Sequence, residues 1–332
     1  MDLRDTLRLS YCTALAASLA LGACSGGVTP AVSPAGAPHG ALLRPNSTTF
    51  YGCPSFKGHP YDDVITNARV DKHSADYINS MIQAGNTAGF YASIGNEQIN
   101  LADKNTPLLT VQPKVKFHQF PVPYPWLSNF FIEPTSDHHA VVVQTQSCRV
   151  YESYGTTYAS GSLGAYCGAN WKLRGHFKAM PPGTPSAMAS GLSLFAGMVR
   201  WEDYQSGAIT HALDWTAIAH TVSEDGFVKP ASDTDHLAFY GSSAYQLPYG
   251  ARLRLKASFD TSGLGPQATM VIDAMKTYGI YLADTGTSSN GLYFSNEENG
   301  ENPWSWSDLS ALDQIKLSDF DVIKLPKLQS AP

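Results

Sequence analysis

The sequence predicts a mainly β protein, a β-sandwich or jelly roll with inserted loops and a few short helices. Composition supports this class, because 28 Gly, 21 Pro and 37 aromatic residues (17 Tyr, 14 Phe and 6 Trp) accompany only 15% charged residues. Such a composition is typical of exported β-rich proteins with many turns. Short apolar segments separated by turn residues also outnumber segments with helical spacing.

The first half of the chain contains one predicted helix and one predicted hairpin. Residues 74–82 carry apolar side chains at helical spacing. Residues 120–126 (FPVPYPW) follow, and proline at alternate positions enforces an extended backbone. The continuous apolar run at 140–145 predicts a buried strand, and the alternating segment 148–154 predicts its hairpin partner.

The second half adds several strands and a second helix. Residues 267–277 predict a helix, because Pro266 suits a first helical turn and Gly279 follows its end. The remaining predicted strands lie at 171–177, 211–216, 253–259, 279–283 and 292–295.

The N-terminal region resembles a bacterial lipoprotein signal. Residues 1–23 combine Arg4 and Arg8 with a short apolar run, and the sequence then reads Leu-Gly-Ala-Cys, ending at Cys24. The run is too short for a membrane span, which needs roughly 20 apolar residues. We expect lipidation of Cys24 and anchoring in a membrane on the outer-membrane, periplasmic or cell-surface side. The alternative is an ordinary secretory signal with an incidental cysteine.

The remaining chain divides into a linker and one domain. Residues 24–45 are rich in Ala, Pro, Gly and Ser, which predicts a flexible tether. Residues 46–332 are expected to form one β-sandwich domain with an irregular or helical N-terminal extension. Within it, Cys148 and Cys167 flank a Tyr- and Gly-rich segment and are predicted to form a disulfide. Cys53 is then free, or is the true partner of one of them.

Charge and motifs exclude several function classes. A net charge of −6 argues against nucleic-acid binding, which requires clustered Lys and Arg. The sequence lacks a G-x-S-x-G elbow, an H-E-x-x-H motif, a P-loop and a complete dinucleotide fingerprint. No cofactor, nucleotide or metal site is predicted, and the expected partner is a polysaccharide or glycan.

An ordered set of motifs resembles a family of secreted bacterial β-rich proteins found beside carbohydrate-active and cell-envelope proteins. The resemblance covers the chain from about Tyr61 onward and implies topology and candidate positions rather than a reaction. The family usually carries an acid at the position of Met188. It also tends to read Arg-Tyr-Asp-Glu where this chain has Arg-Trp-Glu-Asp at 200–203. The motifs are 112–115 (QPKV), 137–143 (DHHAVVV), 148–152 (CRVYE), 191–192 (GL), 197–200 (GMVR), 207–213 (GAITHAL), 250–260 (GARLRLKASFD) and 276–284 (KTYGIYLAD).

Acids and a histidine supply the candidate catalytic residues. A glycosidase needs two carboxyl groups across a cleft, and Glu152 with Asp203 or Glu202 is the predicted pair. His211, at the start of a predicted strand, could act as a base or orient substrate, because its ordinary pKa lies near neutrality. For each acid the alternative is a solvated strand or turn residue, and for His211 a buried structural histidine.

Six further residues are candidates for substrate binding. Arg200 could clamp a substrate carboxylate, His139 lies at a strand end, and Asp284 precedes a polar loop. The other candidates are aromatic rings suited to sugar stacking. Packing of the C-terminal tail is the alternative for the two tryptophans. The six are Arg200, His139, Asp284, Tyr278, Trp304 and Trp306.

These observations favour a carbohydrate-active exported lipoprotein that cleaves an envelope or exported polysaccharide by glycoside hydrolysis. A polysaccharide lyase with Arg200 neutralising a uronate is a weaker variant. The alternative is a non-catalytic lipoprotein that binds glycan or has a structural role in the envelope. Carboxylates clustered in one cleft would favour the enzyme, and scattered acids would favour the binder.

Overall fold

The structure is a computed structural model that describes residues 49–330, apart from 51, 55–58, 116–119, 175–176, 225, 236–238, 288–289 and 297–301. The predicted signal peptide, Cys24 and the whole predicted tether lie outside the described residues. Within the described ranges, no helix is long and apolar enough to cross a membrane.

Strands dominate the described part of the chain, which confirms the mainly β prediction, and the helices are few and short. The helices are α1 (Ser74–Gln83), α2 (Leu194–Gly197), α3 (Trp201–Ser206), α4 (Pro266–Thr277) and α5 (Trp306–Leu309). The strands are β1 (Thr49–Phe50), β2 (Cys53–Pro54), β3 (Phe90–Glu97), β4 (Ile99–Ala102), β5 (Leu108–Leu109), β6 (Val111–Pro113), β7 (Tyr124–Pro125), β8 (Ala140–Gln144), β9 (Arg149–Tyr154), β10 (Thr157–Ala159), β11 (Ser162–Ala165), β12 (Cys167–Lys172), β13 (Leu213–Ile218), β14 (Arg252–Leu255), β15 (Ile280–Gly286), β16 (Asn290–Ser295) and β17 (Phe320–Val322).

Two mixed sheets form the body of the domain. The larger has the strand order β17-β14-β15-β13-β16-β3, and the smaller has the order β12-β9-β8-β4. The pairs β4–β8, β13–β15 and β16–β3 are parallel, whereas β8–β9 and β9–β12 are antiparallel. Neighbouring strands therefore often belong to distant parts of the sequence.

One apolar core joins the two sheets. Val141, Val143 and Val150 of the smaller sheet belong to the same buried cluster as Leu213 and Trp215 of the larger sheet. Because side chains alternate across a strand, the other face of the smaller sheet carries a second cluster. That cluster contains Ala140, Val142, Tyr151, Tyr124 and Trp126.

Most predicted elements occur close to their expected positions. The two predicted helices correspond to α1 and α4, and Pro266 opens α4 as expected. The hairpin of β8 and β9 occurs as predicted, with Val142 opposite Tyr151. The strand predicted at 171–177 is misplaced, because β12 begins at Cys167 and ends at Lys172. The strand predicted at 253–259 ends earlier, at Leu255.

The disulfide prediction was wrong in its pairing. Cys148 is bonded to Cys53, with Cα atoms 5.3 Å apart. Cys148 precedes β9, whereas Cys167 lies opposite Tyr154 at the far end of the antiparallel β9–β12 pair. At about 3.4 Å per strand residue, that separation far exceeds the roughly 7 Å limit between bridged Cα atoms. The alternative partner left open for Cys53 is the one observed.

Candidate active site between the two sheets

A cavity of about 280 Å³ lies where the two sheets meet. The larger sheet contributes residues of β3, β13, β15 and β16, and the smaller sheet contributes residues of β9, β12 and the segment before β8. Four carboxyl groups, one histidine and three tyrosines line it, and the described lining residues include no lysine or arginine. These eight side chains are Glu97, Glu133, Asp137, Asp284, His139, Tyr91, Tyr154 and Tyr293.

A buried ion pair forms the deep part of the cavity. His139 Nδ1 lies 2.7 Å from Glu133 Oε2, and the His139 backbone N–H donates to the same oxygen at 2.9 Å. His139 Nε2 lies 3.1 Å from the carbonyl oxygen of Ala187. Burial alone would lower the pKa of His139, but the Glu133 carboxylate outweighs it and raises the pKa to about 10. Burial would likewise raise the pKa of Glu133, yet His139 and hydrogen bonding lower it to about 2.

Glu97, the last residue of β3, lies beside this pair. Its side chain is 4% exposed, and its Oε2 has no hydrogen-bond partner among the described residues. Burial raises its pKa well above the usual range, and the Glu133 carboxylate acts in the same direction. Glu97 is therefore a neutral acid unless a cation balances its charge.

Two further carboxyl groups, one on β15 and one in the segment before β8, are half-buried and line the cavity. Asp284 lies on β15, and its Oδ1 accepts a hydrogen bond from the Thr285 N–H at 2.8 Å. Burial raises its pKa to about 7. Asp137 lies in the segment before β8; burial raises its pKa too, and the Glu133 carboxylate contributes to the increase. At neutral pH Asp284 can therefore hold and release a proton.

Tyrosine rings form part of the wall. Tyr91 is 40% exposed and is the most accessible of the three. The rings of Tyr154 and Tyr293 lie 5.6 and 6.4 Å from the His139 ring, measured between centroids. Burial raises the pKa of both tyrosines, so both carry neutral hydroxyl groups at ordinary pH. The wall offers aromatic faces and hydroxyl groups together.

The predicted catalytic residue Glu152 lies outside this cavity, in a structural position. It is fully buried, and its Oε1 accepts hydrogen bonds from Ser193 Oγ at 2.6 Å and the Phe195 N–H at 3.0 Å. Its Oε2 accepts from the Leu194 N–H at 2.9 Å. Glu152 thus satisfies the first backbone amides of α2, which have no partner within the helix. Burial raises the pKa of Glu152 to about 7, although these hydrogen bonds act to lower it.

Asp203, Arg200 and His211 form a second buried network outside the cavity. Asp203 Oδ2 lies 3.3 Å from Arg200 Nε and 3.2 Å from His211 Nε2. Burial would raise the pKa of Asp203, but Arg200 and His211 lower it. The Arg200 Nη1 also donates to the Phe195 carbonyl at 2.7 Å. The neighbouring Glu202 is half-buried at the start of α3. The predicted acid pair therefore does not share a cleft, and Arg200 binds an acid of the protein itself.

The two tryptophans predicted to stack on sugar rings differ in exposure. Trp304 is buried, and its indole N–H donates to the Ser295 carbonyl at 2.7 Å, whereas Trp306 is 60% exposed at the start of α5. A helix begins at Trp306, so the two rings do not lie on one face of a strand. Tyr278 follows α4 and lies outside the cavity lining.

Of the sequence-predicted residues, His139 and Asp284 lie in the cavity together. Sequence reasoning missed Glu97, Glu133 and Asp137, although Asp137 belongs to a motif that carries the family resemblance. Met188 is buried in the cavity lining. No protein-family model, curated protein or solved structure matches the chain.

Proposed function

We propose that this chain is an exported carbohydrate-active protein that hydrolyses a glycosidic bond of an envelope or exported polysaccharide in the cavity between the two sheets. One observation carries the proposal: Asp137, in the segment before β8, and Asp284, on β15, are half-buried carboxyl groups that line the same cavity. Glycoside hydrolysis needs one carboxyl group that donates a proton and a second that is ionised. The reaction would then take place away from Glu152 and Asp203, which are fully buried outside this cavity.

Asp284 is the proposed general acid. A pKa of about 7 leaves a large fraction of its carboxyl groups protonated at neutral pH, which suits proton donation to the leaving oxygen. Asp137 is the proposed second carboxylate, acting on water or on the sugar carbon. Activity should decline above about pH 7, because Asp284 then loses the proton that it donates.

The size and walls of the cavity suit the end of a sugar chain. Its volume of about 280 Å³ is near the lower bound of small-molecule sites, which span roughly 300–1,000 Å³. The exposed ring of Tyr91 offers a stacking surface, and the Tyr154 hydroxyl and the carboxyl groups of Asp137 and Asp284 offer hydrogen-bond partners for sugar hydroxyls. We therefore expect release of small sugars from chain ends.

The second candidate function is glycan binding without hydrolysis. Met188 favours it, since an apolar side chain occupies a cavity position where the resembling family carries an acid. The tyrosine wall would still bind a sugar ring without any proton transfer.

The test measures sugar release from a panel of polysaccharides and aryl glycosides, together with binding by calorimetry. Asp284→Asn and Asp137→Asn should each lower kcat/KM by about 10²–10⁴-fold and retain binding. Asp313→Asn, on a carboxylate that is 78% exposed, is the matched control and should leave activity unchanged. Binding without sugar release, weakened by Tyr91→Ala, would favour the second candidate. Wild-type protein that neither binds nor cleaves any glycan would contradict both.

Export and lipid anchoring are proposed from the residues around Cys24. In cells fed a labelled fatty acid, the wild-type chain should carry the label in the membrane fraction, and Cys24→Ala should not. Label on the Cys24→Ala chain, or no label on the wild-type chain, would contradict lipid attachment at Cys24.

A further inference from the structure

We infer that Glu97, Glu133 and His139 form a binding site for one divalent transition-metal ion, with Zn²⁺ as the first candidate. This inference is independent of the proposed sugar chemistry. Each residue offers one ligand atom, and these atoms lie within 4.8 Å of one another. Glu97 is the last residue of β3, Glu133 lies in the segment before β8, and His139 immediately precedes β8.

Burial makes this cluster different from an ordinary group of surface acids. The three side chains are only 4–5% exposed. Glu133 and His139 balance one another as an ion pair, whereas Glu97 Oε2 points at no hydrogen-bond donor in the described part of the chain. An unpaired buried carboxylate is costly unless it is protonated, paired or bound to a metal. The described cavity lining provides no lysine or arginine for pairing.

The hydrogen bonding of His139 suits a metal ligand. A histidine ligand almost always donates its second ring N–H to a carboxylate, backbone carbonyl or water. Here Nε2 lies 3.1 Å from the Ala187 carbonyl oxygen, so Nδ1 is the nitrogen directed toward Glu133. The ion would take the place of the proton between Nδ1 and Glu133 Oε2, and that proton leaves to solvent.

The donor set selects the class of ion. One imidazole nitrogen and two carboxylate oxygens suit Zn²⁺ or another first-row ion, whereas Ca²⁺ and Mg²⁺ prefer oxygen ligands alone. Metal–ligand distances of about 2.1 Å place neighbouring ligand atoms about 3–3.5 Å apart. Metal binding would therefore lengthen the 2.7 Å separation of His139 Nδ1 and Glu133 Oε2 and shorten any of the other separations, which reach at most 4.8 Å, by small side-chain movements. Three protein ligands leave a coordination position open toward the cavity, as in catalytic zinc sites.

The test uses the purified full chain without a histidine tag, freed of metal with a chelator. Calorimetric titration with Zn²⁺ should give one ion per cluster, bound at least about tenfold more tightly than Ca²⁺. Glu97→Gln should weaken Zn²⁺ binding by at least about tenfold. Gln is the same size as the neutral acid, so this variant should fold. The matched control is His73→Gln, which removes a half-exposed His–Asp pair with Asp76 at 2.9 Å and should bind Zn²⁺ as the wild type does.

Thermal unfolding provides a readout that does not depend on activity. Zn²⁺ should raise the Tm of the wild type and of His73→Gln, because a ligand that binds only the folded state stabilises it. The increase should be lost in Glu97→Gln. Equal Zn²⁺ affinity in the wild type and Glu97→Gln, or no stoichiometric binding by the wild type, would overturn the inference.

Discussion

Replacing Glu152 by Gln should destabilise the fold rather than act on chemistry. The carboxylate receives three hydrogen bonds, from Ser193 Oγ and the N–H groups of Leu194 and Phe195. Gln keeps one oxygen and replaces the other with an NH₂ group, which cannot accept a hydrogen bond. Whichever way the amide turns, at least one backbone N–H of α2 then faces a donor.

The magnitude follows from the cost of that mismatch. A buried donor left without an acceptor costs about 1–3 kcal/mol. Loss of a hydrogen bond to a charged acceptor, where Glu152 is ionised, adds about 1.5–3 kcal/mol. We therefore expect the free energy of unfolding to fall by about 2–4 kcal/mol, since the two losses overlap. Because Glu152 is fully buried, solvent offers no substitute partner.

Urea unfolding at pH 7.5 under non-reducing conditions, followed by tryptophan fluorescence, measures this loss. Glu224→Gln, at a half-buried glutamate, is the control and should stay within about 0.5 kcal/mol of the wild type. A Glu152→Gln protein that unfolds at the wild-type urea concentration would refute the structural role. If that protein had also lost glycan cleavage, Glu152 would return as a catalytic candidate.

Three other predictions concern stability. Replacing Cys53 and Cys148 by serine should lower the free energy of unfolding by about 4–5 kcal/mol, because the bridge closes a loop of 95 residues. A decrease of less than about 1 kcal/mol in urea unfolding would contradict this prediction. Asp203→Asn should lower the free energy of unfolding by about 3–5 kcal/mol, because it leaves the buried guanidinium of Arg200 without its counter-charge. An unchanged Tm would contradict this prediction. The folded-state pKa of Asp284, about 7, exceeds the unfolded value of about 3.9. Its contribution to stability is therefore greatest below pH 4 and is lost as pH rises to about 7. Asp284→Asn should flatten the pH dependence of urea unfolding between pH 4 and 7, and an identical slope in both proteins would count against the shifted pKa.

Apolar patterning was sufficient to predict two strands of the smaller sheet. The apolar run predicted at 140–145 and the hairpin partner predicted at 148–154 correspond to β8 and β9, and both faces of this sheet pack against apolar clusters. Local chemistry was likewise sufficient for α4, where Pro266 occupies the first turn. In each case the determining residues lie within a few positions of one another.

The site depended on contacts that no local pattern encodes. Glu97 and Glu133 meet through the pairing of distant strands, and neither lies in a motif with ligand spacing. Glu152 was assigned to chemistry because a glycosidase needs two carboxyl groups and Asp203 or Glu202 could supply the second. Its actual partners, the amides of α2, lie about 40 residues further along the chain. Alternation alone could not distinguish an acid that faces substrate from one that caps a helix.

The Cys53–Cys148 bridge also determines how the domain would respond to tension. A pull applied from the N-terminal side reaches Cys53 after passing β1, the one described strand that precedes β2. The covalent bond then carries the load directly to Cys148, at the start of β9 in the smaller sheet. Residues 54–147 lie inside the closed loop and are shielded from the force. If the chain is anchored through Cys24, mechanical load would enter at the end of the β8–β9–β12 ladder that carries the β8–β9 turn, and the segments bearing Glu97 and Glu133 would stay unloaded.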